Sequence, residues 1–267
     1  MSRACRLKNV CHVFLDMDGT LYRGNQLFPT TIPFFEFLSE HGIGRTFLSN
    51  NCSYGHRDYV EKLSKMGICC SESEIYSSAD FCLDYLKIHH PEFKRVYILG
   101  MPCLQKAFTE AGFEVVEDQP EAVVVGFDRN LEYQRLCRCA YFLHLGVPGF
   151  ATHPDVFCPT DLPTRLVDCG AVTACLEAAT GKKLTVLGKP DPRMLQYAAK
   201  RLNIDVHNCL MAGDRLTTDI ALGQNAGALT CHIISPGADL YIPEGITPDY
   251  SCENLGELQE HWQKLLQ

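Results

Sequence analysis

The chain has 267 residues, enough for one large domain or two, either with a substantial core. It is 46% hydrophobic and 21% charged, with 32 acidic against 24 basic side chains and a formal charge of −8. That balance excludes a nucleic-acid backbone or an anionic membrane as main partner, while local donors can still hold a small anion.

No stretch approaches the roughly 18 uninterrupted apolar residues of a membrane span. The first apolar run is too short for a signal peptide and has no small-residue cleavage site, so a cytoplasmic location is the expectation. Fifteen cysteines are scattered along the chain without a Cys-x-x-Cys pair. They read as reduced, small hydrophobes rather than a disulfide framework.

In chain order, Val10–Leu15 is an apolar run of strand length that ends on Asp16-Met17-Asp18-Gly19-Thr20-Leu21. Helical spacing over 32–38 stops at Gly42, and a strand over 44–48 runs into Ser49-Asn50-Asn51. Helices follow over 57–66 and 79–88. The rhythm then restarts with strand 96–99, helix 104–111, strand 122–126, helix 131–145 and strand 149–152. An irregular stretch with Pro154, Pro159 and Pro163 leads to a helix over 170–180 and a strand over 185–187. The last third alternates helix 194–202, strand 209–212, helix 219–226, strand 229–233 and helix 257–266. Strands alternating with helices imply parallel sheets covered on both faces, with ligands held at the carboxyl ends of the strands.

Four polar clusters fall at such ends: Asp16 with Asp18, Ser49-Asn50-Asn51, Gly188-Lys189-Pro190, and Gly213-Asp214-Arg215 with Asp219 beyond. If their strands are parallel neighbours, all four meet at one edge of one sheet. Taken singly each has a plain reading, as a turn, a solvated lysine or a helix cap. Taken together they make a phosphoryl-transfer site. Asp16 can attack phosphorus, and Asp18 can protonate the leaving oxygen and then deprotonate water. Ser49 and the Asn50 and Asn51 backbone supply donors to phosphate oxygens. Lys189 is a point charge for the phosphoryl group and Asp16, Asp214 is an oxygen ligand for magnesium, and Asp219 supports from behind by holding waters or orienting Lys189.

On these motifs the sequence resembles the haloacid dehalogenase (HAD) superfamily phosphatases of the NagD / p-nitrophenylphosphatase-like branch, over nearly its whole length. The resemblance implies an α/β fold, a Rossmann-like parallel-sheet core over 1–80 and 184–267 interrupted by an α/β cap over 81–183 that sets specificity. It also implies Asp16 as nucleophile, Asp18 as acid/base, and Mg2+ held by Asp16, the Asp18 carbonyl and Asp214. A carboxylate at Asp18 sets the chain with the phosphotransfer members, since dehalogenases of the superfamily lack it. The expected activity is magnesium-dependent hydrolysis of a small phosphorylated metabolite, of nucleoside monophosphate or sugar-phosphate type, through an aspartyl-phosphate. Transfer to an acceptor hydroxyl, as in a phosphotransferase or mutase, is the alternative. A cap of this size can carry a dimer interface, which leaves a homodimer open. The family's cap commonly carries Thr-Asn-x-Asp; here it is Thr152-His153-Pro154-Asp155.

A rival reading is a cysteine phosphatase, because Cys209 and Arg215 have Cys-x5-Arg spacing. The intervening Leu210-Met211-Ala212 looks like strand interior, which sets Cys209 in a core.

Overall fold

In a computed structural model the described residues are 3–158, 164–234 and 243–266. They divide into two compact units, one of residues Met1–Ser49, Val60–Tyr76 and Lys189–Gln267, the other of Asn50–Tyr59 and Ser77–Gly188. The borders thus fall at 76/77 and 188/189, where the sequence placed them at 80/81 and 183/184, and residues 50–59 join the second unit.

In the first unit, Val13, Phe14 and Leu15 have no exposed surface, as a strand covered on both faces requires. Their strand, His12–Leu15, lies inside a six-stranded sheet in the order Tyr250–Cys252, Leu229–Ile233, Cys209–Gly213, His12–Leu15, Gly44–Ser49, Ile75–Ser77. It pairs in parallel on both sides, with Leu15 opposite Ala212 and opposite Phe47. Register therefore puts residues 16 and 214 just past, and residue 49 at, the carboxyl ends of three neighbouring strands. On one face the Thr31–Glu40 helix buries Phe34, Phe37 and Leu38, spaced three and four apart. It meets the Leu255–Leu266 helix, whose Trp262 ring stands 5.7 Å from that of Phe37.

The second unit has a five-stranded parallel sheet in the order Thr185–Val186, Gly149–Ala151, Ala122–Val125, Arg95–Leu99, Glu114–Val115. The Tyr133–His144 and Cys169–Thr180 helices cover one face, with Phe142 edge-on to Tyr97 at 5.3 Å. Asp168 caps the second of these helices, and Gly181, at φ +69°, ends it in the left-handed conformation that a Cβ disfavours.

Two expectations change. The strand before Gly188-Lys189-Pro190 is Thr185–Val186, at the edge of the second sheet, so only three of the four clusters follow neighbouring strands of one sheet. The irregular stretch after Pro154 contains an antiparallel pair, Phe157–Cys158 with Leu166–Val167; Pro159 and Pro163 lie outside the described residues. All fifteen cysteines are free, and seven of them are buried. Among the described residues no helix is long and apolar enough to cross a membrane.

Candidate active site

Asp16 leaves the sheet with its N–H bonded to the Ala212 carbonyl at 2.9 Å, so the neighbouring strand still fixes its backbone. The chain then turns at Gly19, at φ +91°, where the Gly19 N–H donates to Tyr22 O at 2.8 Å. A Cβ on Gly19 would stand 2.2 Å from Asp214 Oδ2. Glycine is thus required twice over, by the backbone angle and by the approach of the carboxylate. Asp18 sits in this turn with its residue exposed, bridged to Tyr22.

Asp219 returns to the same place by a local route. The chain turns through Leu216–Ile220, and the Arg215 N–H donates to Asp219 Oδ2 at 3.1 Å. Gly213 makes room for it, because a Cβ there would lie 2.4 Å from Asp219 Cγ. His232, opposite Gly213 on the next strand, donates from Nε2 to the Asp214 carbonyl at 3.1 Å. Sequence reading singled out neither Gly213 as a spacer nor His232 as a backbone support. A histidine in the fully buried run 229–233 was the available signal for the latter.

Lys189 ties the group together. Its Nζ donates to Asp16 Oδ1 at 2.6 Å, Asp219 Oδ1 at 2.7 Å and Leu48 O at 3.2 Å, with only 3% of the residue exposed. Burial works against a charged ammonium, but Asp16 and Asp219 hold its pKa above the usual lysine value. Asp16, Asp214 and Asp219 each offer a ligand oxygen within 4.8 Å of the others, the one such group of three among the described residues. Burial pushes the Asp16 pKa up to about 6, with Asp219 adding to the rise and Lys189 opposing it. Burial, then the Asp16 and Asp219 charges, push Asp214 up to about 8.

Those shifts test the fit of a divalent cation. Three carboxylates gather round the Lys189 ammonium, with the Arg215 guanidinium the other cation acting on Asp16 and Asp214, so carboxylates outnumber cations when all are ionised. Among the described residues no hydrogen bond reaches the Asp214 carboxylate, whereas both Asp219 oxygens are taken by Lys189 and the Arg215 N–H. An all-oxygen, anionic group with a spare carboxylate fits a hard cation such as magnesium.

Ser49 is buried at the end of its strand in the first unit. Asn50 and Asn51 belong to the second, where Asn51 Oδ1 accepts from Ser53 N at 2.8 Å and Asn51 O from the Tyr59 hydroxyl at 2.8 Å. His153 is completely buried, with Nε2 2.9 Å from Asp168 Oδ1 and Nδ1 2.9 Å from Thr152 Oγ1. Burial disfavours the charged ring, but Cys169 and the bonded Asp168 carboxylate more than offset it and hold the pKa well above the usual value. Cys209 has no exposed surface, pairs with His12 at the amino end of its strand, and has its thiol pushed by burial up to about 12. Four residue steps along the strand, about 13 Å, separate it from Gly213. It cannot act as the thiolate of a cysteine phosphatase.

Comparison with known proteins shows the family. Family models described as haloacid dehalogenase-like hydrolase and HAD-hydrolase-like match residues 13–114 and 186–258. An acid sugar phosphatase of Staphylococcus haemolyticus is 30% identical over 97% of this chain and 100% of its own length. Among solved structures, a 4-nitrophenylphosphatase from Thermotoga maritima is 34% identical with a TM-score of 0.89, covering 96% of this chain and 98% of that one. NagD from E. coli K-12 is 27% identical at a TM-score of 0.86, covering 93% and 98%. The chain belongs to the haloacid dehalogenase-like hydrolases, and among them it is a phosphatase of the NagD / p-nitrophenylphosphatase-like branch.

Proposed function

We propose that the protein is a magnesium-dependent phosphomonoester hydrolase that works through a phosphoaspartate on Asp16 and acts on a small sugar-phosphate-type metabolite. The observation that carries this reading is the Lys189 ammonium held between Asp16 and Asp219, beside an Asp214 carboxylate that no hydrogen bond reaches among the described residues. The sugar-phosphate class is supported by the relatives named as acid sugar phosphatases.

The geometry supports one assignment of roles. Lys189 occupies Asp16 Oδ1 and keeps the carboxylate ionised, which leaves Oδ2 to attack phosphorus. As the phosphorus–oxygen ester bond breaks, Asp18 gives its proton to the departing alkoxide. The same carboxylate then takes a proton from the water that attacks the phosphoaspartate, returning Asp16 and releasing phosphate. Ser49 and the Asn50–Asn51 backbone offer donors to the phosphate oxygens. Held by Asp16, the Asp18 carbonyl and Asp214, magnesium would screen the phosphate charge from the attacking carboxylate.

The test is a panel of sugar phosphates, nucleoside monophosphates and 4-nitrophenyl phosphate, assayed with magnesium and again with EDTA. Turnover should require the metal and fall by roughly four or more orders of magnitude in Asp16→Asn, the scale of nucleophile deletions. Turnover that survives both changes overturns the reading.

A further inference from the structure

The Thr152–Asp155 turn has no part in the chemistry just described, yet it is braced more heavily than a surface turn needs. His153 is locked between Thr152 Oγ1 and Asp168 Oδ1. The same Asp168 oxygen accepts from Cys169 N at 2.6 Å, so one carboxylate holds both the turn and the start of the Cys169–Thr180 helix. Gly170 N donates to Asp155 O at 2.8 Å. A Cβ on Gly170 would lie 2.1 Å from Pro154 O, so the turn and the first turn of the helix are in direct backbone contact.

What this brace presents is the Asp155 carboxylate. Its Oδ2 accepts from Asn50 Nδ2 at 3.1 Å. The Asn50 backbone carbonyl in turn accepts from Ser78 Oγ at 2.5 Å. Gly188, at φ +80°, sits where a Cβ would be 2.8 Å from Asn50 Oδ1 and 2.7 Å from Thr152 O. Rotating the Asn50 carboxamide by half a turn would set its oxygen against a carboxylate oxygen, so Asp155 dictates which way it points.

We propose that Asp155 is a positioning residue for the phosphate-binding stretch, acting through the Asn50 side chain. The inference rests on the reading of Asn50 and Asn51 as phosphate donors. By fixing the carboxamide, Asp155 keeps the Asn50–Asn51 backbone in one conformation before phosphate arrives, so ordering that loop costs nothing at the moment of binding. Its negative charge suits an acceptor for Asn50 and is unsuited to a phosphate ligand. The feature it supplies is an acceptor oxygen, which asparagine also has.

The experiment is a double-mutant cycle read by the KM for 4-nitrophenyl phosphate and by competitive inhibition with inorganic phosphate. Asp155→Ala and Asn50→Ala should each raise both constants about tenfold, the scale of one lost hydrogen bond to a charged group, with kcat in Asp155→Ala changed less than about threefold. The double variant should be no worse than either single, because both remove the same interaction. Asp155→Asn should restore most of the loss. A residue that only stabilises the fold would lower the active fraction, and so kcat, while leaving KM and phosphate inhibition in place. Additive effects, unchanged constants in Asp155→Ala, or an Asp155→Asn as impaired as Asp155→Ala overturn the proposal. If Asp155→Ala shows no cooperative unfolding transition, the exchange pair decides. Asn50→Asp should weaken phosphate inhibition, and adding Asp155→Asn, which swaps donor and acceptor, should recover it; no recovery overturns the proposal. A wild type without magnesium-dependent turnover overturns both this inference and the reading beneath it, whereas normal turnover with additive effects overturns the inference alone.

Discussion

Two buried ionic groups, one in each unit, have opposite charge balances. In the first unit Lys189 faces Asp16 and Asp219, with Asp214 alongside, so carboxylates outnumber cations and two of them have raised pKa values. In the second unit the buried His153 ring bonds the one carboxylate of Asp168, with Cys52 and Cys169 also acting on the ring, so no excess of carboxylates gathers there. Burying ionised groups is costly, and a matched pair with good hydrogen bonds recovers most of that cost. The unmatched cluster keeps an electrostatic debt that a cation can remove, which marks it as a site. The matched pair is a brace.

The comparison breaks first on rate. Asp18 is exposed two residues after Asp16, and Asp18→Asn should slow 4-nitrophenyl phosphate hydrolysis by roughly two to four orders of magnitude while the fold is kept. Near-normal turnover at neutral pH would remove Asp18 from the proton steps.

The second difference is in stability. His153→Leu leaves Asp168 buried without its partner and should cost about 3–5 kcal/mol in urea unfolding, the usual range for breaking a buried pair. The magnesium-induced rise in melting temperature should persist in this variant, since that rise belongs to the other group. Its disappearance would mean that the two groups are not independent.

The smallest effect is the pH dependence of the unmatched cluster. Asp16 and Asp214 have folded pKa values raised from 3.8 to about 6 and about 8. Raised values mean that the folded state holds these protons more tightly. Their contribution to stability is therefore full below about pH 4 and is lost as pH rises toward 8. With magnesium chelated, melting temperature should fall over that window, and Asp214→Asn should flatten the fall. Magnesium should restore more stability at pH 8 than at pH 5, where it competes with protons. An apo protein equally stable at both ends would contradict the excess charge.

Asp16 and Asp214 stand out in the sequence because each follows a strand with a strong apolar run. Leu15 precedes Asp16, and Cys209–Ala212 precedes Gly213-Asp214. Lys189 was legible as a chemical group but not as a placement. Its strand, Thr185–Val186, is two exposed residues long, and nothing so short states which of two sheets it joins. The pairs at Tyr22–Arg23 with Gln26–Leu27 and Phe157–Cys158 with Leu166–Val167 are likewise too short for a period-two pattern. The second group was half legible. His153 stood out against the family pattern, but its partner lies 15 residues away and reads in sequence only as an acid before a helix. That Asn50–Tyr59 joins the second unit is not legible in the sequence, because it lies inside a continuous strand–loop–helix segment.

In the proposed reaction the Asp16 carboxylate is the nucleophile that carries the phosphoryl group. Acid quench of the enzyme during turnover of 4-nitrophenyl phosphate with magnesium, followed by peptide mass analysis, tests it most directly. The account predicts a phosphoryl adduct on the peptide that contains Asp16, larger in Asp18→Asn, where release is slowed, and absent in Asp16→Asn. An adduct on a cysteine or histidine peptide, or full turnover with Asp16→Asn, would contradict it.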